Sequence, residues 1–313
     1  MMEFFESYPF VKWILVGFGV LAILSKLFNF DPIDKLINRI GRYKFEEINH
    51  LEDEQLKRLI GFMREGKWSE LTKSMRGFAP SYVSFGFRTL GQYAELKQIN
   101  AWQTAEPENN LPKIVKAYHL VFQGWKIRGR GKIDTVSAKN LKEFKNHLHQ
   151  AKEILLAIRK EAKFHVNVNA LLLKIYMAID VERQTIHDTY ESVSATHPNH
   201  SELNFNYFNA ITWKWGGTQE EVNAYLQTLE TKSEFICNLI SAQYYFDYVH
   251  MLDGADNELK MKSFLTEMKS FRIETNELYR YEFYLKLYWL ANNLGYDDLE
   301  SHFKAMVKPF CRD

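Results

Sequence analysis

Two arginines beside glycines form the string best suited to binding chemistry. The string reads Arg128-Gly129-Arg130-Gly131. Guanidinium groups next to exposed backbone N–H donors can hold a carboxylate or a phosphate. A structural interpretation is also open and is favoured: the glycines shape a turn between two helices, Trp125 packs in the core, and Arg128 caps carbonyl groups or pairs with an acid.

A second string, Lys214-Trp215-Gly216-Gly217, has a similar double interpretation. It is a candidate binding motif because it combines a cation, an indole and two glycines. The structural alternative is favoured here too: Gly216 ends a helix in the left-handed conformation, Gly217 leads into a helix cap at Thr218, and Trp215 fills the core. A glutamate three residues after Thr218 completes the pattern of a capping box, so we predict that a helix begins there.

The remaining residues show no recognised catalytic or metal-binding pattern. His147 and His149 are two positions apart, which points them to different faces of a helix. Cys237 lies in an apolar stretch, and Cys311 is close to the C-terminus. The sequence has no H-E-x-x-H, C-x-x-C, G-x-S-x-G or phosphate-loop motif. We therefore expect no metal and no cofactor. A non-catalytic protein is favoured, with an enzyme left open.

The elements that must position these strings are predicted to be helices. Gly (15) and Pro (7) are scarce for a chain of 313 residues, which is typical of long helices joined by short connections. The clearest pattern runs from Ser137 to Ala162, with apolar residues at alternating spacings of three and four. Only Phe164–Asn169 alternates like a strand, and it is too short to carry a sheet. We predict an all-α fold.

The spacing of these helices suggests an internal repeat. Helix pairs recur about every 33–35 residues, the period of tetratricopeptide-like hairpins. Because the consensus match is poor, we predict a degenerate solenoid of helical hairpins over residues 51–313. Solenoids of this type expose a concave face, which usually binds a protein or a peptide.

The order of the two strings resembles an uncharacterised bacterial family of tetratricopeptide-like proteins, a domain of unknown function. Its members carry a W-x-x-R-G-x-G string followed further along by K-W-G-G-[ST]. Here the strings contain Trp125 and Trp215, and the resemblance covers roughly residues 55–250. It implies an all-helical fold and a bacterial source, and it brings no known activity.

The N-terminus contains the most apolar segment of the chain, residues 9–28. A bilayer needs about 20 predominantly apolar residues, which residues 9–28 supply. A single-pass anchor within residues 1–30 is favoured, and a core helix and a cleaved signal peptide remain as alternatives. The basic residues that follow place the N-terminus outside and the main domain in the cytoplasm, at the inner membrane. A soluble cytoplasmic protein is the alternative.

Residues 31–50 follow as a predicted basic amphipathic linker helix. Ile33, Leu36, Ile37 and Ile40 share one helical face, while lysine and arginine occupy other faces. Such a helix can lie on anionic lipid. Packing on the main domain is an equal alternative.

The charge balance argues against nucleic acid as a partner. Lys and Arg number 40 and Asp and Glu number 39, so the net charge is only +1. We therefore expect a membrane-anchored scaffold that binds a protein partner and has no activity of its own. The alternatives are an enzyme with a site in the interhelical loops around Arg128 and Arg130, or a module that binds an anion or a nucleic acid there.

Overall fold

Helices account for nearly all of the structure, a computed structural model that describes residues 53–129, 133–159, 163–179, 181–231, 233–248, 255–271 and 277–307. Within these ranges there is no strand, which confirms the predicted all-α class. Single turns of 3₁₀ helix lie at Ile133–Thr135 and Trp213–Trp215. The fourteen α-helices of the described ranges are α1 Glu54–Glu65, α2 Trp68–Gly77, α3 Pro80–Tyr93, α4 Leu96–Ala105, α5 Leu111–Arg128, α6 Ala138–Ala157, α7 His165–Tyr176, α8 Arg183–Ser194, α9 Ser201–Ile211, α10 Gln219–Glu230, α11 Glu234–Tyr248, α12 Ala255–Met268, α13 Glu277–Leu294 and α14 Asp297–Val307.

Side-chain caps fix where several helices begin. The Asp53 carboxylate accepts the first free N–H groups of α1, at 2.9 Å from Gln55 and 3.0 Å from Leu56. The predicted capping box before α10 is present: Thr218 Oγ1 accepts from the Glu221 N–H, and the Glu221 carboxylate accepts from the Thr218 N–H. Each cap satisfies backbone donors that the first helical turn leaves open.

One local prediction differs from the structure. Helix α6 ends at Ala157 rather than at Ala162, because the Ile158 N–H turns back to the carbonyls of the preceding turn. Phe164–Asn169, the one segment with strand-like alternation, forms the start of α7. Residues 166–173 are all buried, and a helix that is buried all round loses the 3.6-residue alternation that normally identifies it.

Alternate helices pack against one another. Each odd-numbered helix from α1 to α11 contacts the next odd-numbered helix, and the even-numbered helices α2, α4, α6, α8, α10 and α14 pack on this row. The row also turns back on itself, since α3 contacts both α7 and α9. Side chains on neighbouring odd-numbered helices can therefore converge on one place.

A network of buried side chains fixes α9 in this row. The Asn204 amide donates to the carbonyls of Pro198 and His200, each at 2.9 Å. Its oxygen accepts hydrogen bonds from the hydroxyls of Tyr190 and Tyr225, both at 2.8 Å. We call these five residues the amide network. It joins α8, α9 and α10 through groups that satisfy one another.

The described residues all belong to one compact unit. None of the helices in this part of the chain has the combination of length and apolar character needed to cross a membrane. The predicted anchor at residues 9–28 and the linker helix at 31–50 lie outside the described residues.

Candidate functional site

The two strings that carry the family resemblance meet in the structure. The Trp125 and Trp215 rings pack edge to face with their centroids 5.8 Å apart. The Phe144 ring of α6 also packs edge to face with Trp125, and the two ring centroids are 4.9 Å apart. We call Trp125, Phe144 and Trp215 the tryptophan corner. It explains why residues 90 positions apart belong to a single structural feature.

Arg128 lies along this corner. Its guanidinium lies 5.4 Å from the centroid of the Trp125 ring, and its Nη1 donates to the Gly129 carbonyl at 3.1 Å. Gly129 has φ = 72°, a conformation that favours glycine at the end of α5. Arg130 and Gly131 lie outside the described residues. The cation and the turn of the first string are thus placed beside an aromatic face.

The second string forms the tight connection before α10. Gly216 has the predicted left-handed conformation, with φ = 83°. A side chain at Gly217 would collide with the backbone of Ile211, so the chain passes too closely there for any other residue. Lys214 lies 3.5 Å from the Asp247 carboxylate of α11. The indole nitrogen of Trp125 is buried without a hydrogen-bond acceptor in the described part of the chain.

A second cluster, which the sequence analysis did not single out, lies on the odd-numbered helices. It consists of Arg88 on α3, Lys174 on α7, Glu202 on α9, and Glu282 and Lys286 on α13, and we call it the charged recess. One signal in the sequence marks it. Helices α3, α7 and α9 each contain a single Asp, Glu, Lys or Arg, and in each case that residue belongs to the recess.

The surroundings of these residues show that they are recessed. On α3, residues 82–87 and 89–91 are buried while Arg88 is partly exposed. On α7, residues 166–173 and 175–176 are buried while Lys174 is partly exposed. Each charge therefore reaches solvent from within an otherwise buried part of its helix. Both charged side chains are thus set among buried residues of their own helices.

An ion pair joins α3 and α13 within the recess. Arg88 Nη1 lies 3.0 Å from Glu282 Oε1, although the two residues are 194 positions apart. Lys286, one turn after Glu282, has its ammonium 5.1 Å from the centroid of the Phe205 ring. Phe205 follows Glu202 by three positions on α9, so the same face of α9 contributes both residues. Helices α3, α9 and α13 thereby share one site.

Hydroxyl groups position the Glu202 carboxylate. The Tyr118 hydroxyl of α5 donates to Glu202 Oε2 at 2.8 Å, and the Ser84 hydroxyl donates to the same carboxylate. Ser84 Oγ in turn accepts a hydrogen bond from the Asn167 amide at 2.8 Å. Behind them, His200 caps α9 by accepting the Leu203 N–H on Nδ1 at 3.1 Å. The carboxylate is held from several helices.

The electrostatics of the recess follow from its partial enclosure. Desolvation raises the pKa of Glu202, while Arg88 and the two hydroxyl donors oppose this effect. Desolvation lowers the pKa of Lys174, with repulsion from Arg88 acting in the same direction. Desolvation also lowers the pKa of Lys286, against the attraction of Glu282. In all three groups burial shifts the pKa towards the uncharged form.

These groups can recognise a ligand by charge and hydrogen bonding. They provide ammonium donors, a fixed carboxylate acceptor and an aromatic face. No three His, Cys, Asp or Glu residues of the described ranges come together as a metal site. The chemistry that the recess offers is therefore ionic and polar recognition.

Comparison of the chain with protein-family models, with curated proteins and with solved structures finds no match.

Proposed function

We propose that this chain is a membrane-anchored scaffold that binds a partner protein through the charged recess. In this proposal the body is a degenerate, tetratricopeptide-like solenoid, and residues 9–28 only set its location. The contacts between successive odd-numbered helices support the repeat, because stacked helical hairpins bring alternate helices side by side. The anchor rests on the apolar N-terminal sequence.

One observation carries the binding proposal. Three otherwise uncharged helices each place their only charged side chain in the same recess. A charge on an otherwise buried helix costs desolvation free energy, and the direct ion pair of the recess offsets this cost only for Arg88 and Glu282. Its convergence with charges from other helices instead favours recognition of a ligand.

The partner would lie along the row of odd-numbered helices. Every odd-numbered helix from α3 to α13 supplies at least one polar group at or beside the recess, and these groups are Ser84 and Arg88, Tyr118, Lys174, Glu202, Asp247, and Glu282 and Lys286. A surface built from six helices can hold an extended segment of a protein. A small ligand, by contrast, is bound by groups from fewer helices.

The test is crosslinked affinity capture from gently solubilised membranes. The full chain is compared with a version that starts at Asp31 and with the double variant Lys174→Gln and Lys286→Gln. The matched control is Lys139→Gln with Lys142→Gln, two exposed lysines on α6. We expect a near-stoichiometric partner with the full chain, the shorter version and the control, and at least tenfold less of it with the recess variant.

Two outcomes would contradict the proposal. One is that neither the full chain nor the shorter version retains a partner. The other is that the recess variant retains as much partner as the control variant, which would place the binding surface elsewhere.

A further inference from the structure

Two cations and one anion of the recess, Lys174, Lys286 and Glu202, form no direct ion pair within the described part of the chain. Arg88 pairs with Glu282 at 3.0 Å. Beside the recess, Asp247 lies 3.5 Å from Lys214 and accepts a hydrogen bond from Gln243 at 2.7 Å. Lys174 and Lys286 remain. Neither ammonium group forms a hydrogen bond or an ion pair with any residue that the structure describes.

An ammonium group without an ionic partner is costly in such a position. Its hydration is partly removed, and no direct ion pair with a described residue replaces the lost water. Glu202 and Glu282 attract Lys174, and Glu282 and Asp247 attract Lys286, but none of these carboxylates pairs directly with either ammonium group. The Phe205 ring gives Lys286 some compensation through its π face. Lys174 lies between the buried residues Leu173 and Ile175 and has no such contact. The fold would be more stable with apolar residues at both positions.

We propose that Lys174 and Lys286 bind a carboxylate group, and that this group is the feature of the partner that the recess recognises. This inference rests on the proposed function and specifies its chemistry. The carboxylate would belong to an acidic side chain or to a chain end of the partner. A free small carboxylate has the same chemistry and could occupy the same place.

The charge balance selects a monoanion. The cations at and beside the recess are Arg88, Lys174, Lys214 and Lys286, and the anions are Glu202, Glu282 and Asp247. One positive charge is in excess, which matches a carboxylate. A phosphate dianion would leave the site with net negative charge, and repulsion from Glu202 and Glu282 would oppose its entry.

The fixed carboxylate of Glu202 adds a second criterion. Tyr118 and Ser84 hold it by donating hydrogen bonds, so it stays available as an acceptor for a donor on the ligand. A ligand that fits the whole recess therefore carries a carboxylate together with an N–H or O–H donor. A peptide segment supplies both, since its backbone N–H groups lie near every acidic side chain.

The reactivity of individual lysines tests this proposal. The full chain in mild detergent is treated with a limiting amount of an amine-acylating reagent, and acylation of each lysine is measured by mass spectrometry. The probes are propionate, its neutral analogue propionamide, inorganic phosphate, and the partner if one is captured. We expect propionate and the partner to slow acylation of Lys174 and Lys286 at least fivefold, with Lys139 and Lys142 unchanged.

Three results would overturn the inference. The first is that propionamide protects the two lysines as well as propionate does. The second is that phosphate protects them equally. The third is that none of the probes protects them. If a partner is captured through the recess but no carboxylate protects the lysines, the carboxylate assignment fails while the proposed function stands. If propionate protects the two lysines and no partner is captured, the proposed function fails while the carboxylate assignment stands.

Single variants separate binding from folding. In Lys174→Met we expect propionate protection of Lys286 to weaken at least tenfold, whereas Lys174→Arg retains most of it because the charge remains. Circular dichroism and thermal unfolding establish that both variants are folded. Equal protection of Lys286 in Lys174→Met and in the unaltered chain would overturn the shared role of the two lysines.

Discussion

Two polar clusters of opposite character lie side by side on α9. Asn204 belongs to the amide network and Glu202 to the charged recess, and positions two apart on a helix face in different directions. In the network, the amide and both hydroxyls form hydrogen bonds within the fold. In the recess, two lysines have no ionic partner among the described residues. The network is satisfied within the fold, whereas the recess is the surface that we propose for binding.

The largest expected effect comes from breaking the network. Asn204→Ala removes the acceptor shared by Tyr190 and Tyr225 and the donor to Pro198. Because the hydroxyls of Tyr190 and Tyr225 and the carbonyl of Pro198 lose their hydrogen bonds to this side chain, we expect the free energy of unfolding to fall by roughly 4 kcal/mol. Urea denaturation measures it. The control Asn146→Ala, at an exposed position on α6, should change it by less than about 0.5 kcal/mol. A loss below about 1 kcal/mol for Asn204→Ala would mean that the network is not a main source of stability.

A slightly smaller effect is expected from pH. Burial lowers the pKa of His200 from its ordinary value of 6.5 to about 4. Between pH 6.5 and pH 4, the imidazole of His200 therefore takes up a proton in the unfolded chain but not in the folded chain. Stability is fully present above pH 6.5 and is lost as the pH falls towards 4, by about 3 kcal/mol.

The variant His200→Asn isolates this effect, because asparagine can cap α9 but does not titrate. The raised pKa of Glu202 acts in the opposite sense, since the folded chain gains stability when this carboxyl takes up its proton. The quantity compared is the unfolding free energy of the unaltered chain minus that of His200→Asn, measured at pH 7 and again at pH 4.5. The same value at both pH values would contradict the role of His200.

The smallest effect has the opposite sign. Lys174→Met replaces a recessed, unpaired cation with an apolar side chain of similar length, so we expect the protein to become more stable by about 1 kcal/mol. The gain stays at the low end of the range because Lys174 retains some contact with water. Thermal and urea unfolding measure it. A clear loss of stability would show that Lys174 serves the fold, as the amide network does.

Local features of the fold were open to prediction from the sequence. Helix starts follow from short patterns, as the capping box at Thr218 and Glu221 shows. The end of α6 was predicted wrongly. The apolar spacing continues beyond Ala157, but the Ile158 N–H turns back to the carbonyls of the preceding turn and ends the helix there.

The recess was harder to predict than the strings around Arg128 and Trp215. Those strings stand out because glycine and tryptophan cluster within a few positions. Arg88, Lys174 and Glu202 stand out only by being the single charged residue of their helices. The sequence carries that signal, but it does not tell which helices meet. The ion pair between α3 and α13 depends on how the whole row of helices turns.

The two residues of that ion pair are synthesised at different times. Arg88 leaves the ribosome well before Glu282, which follows 194 positions later. At about 5–20 residues per second, the arginine waits roughly 10 to 40 s for its partner. A nascent or prematurely terminated chain that stops before α13 therefore exposes an incomplete recess and is not a weaker version of the finished protein. If the recess is the binding surface that we propose, competence to bind the partner is acquired only after α13 has been made.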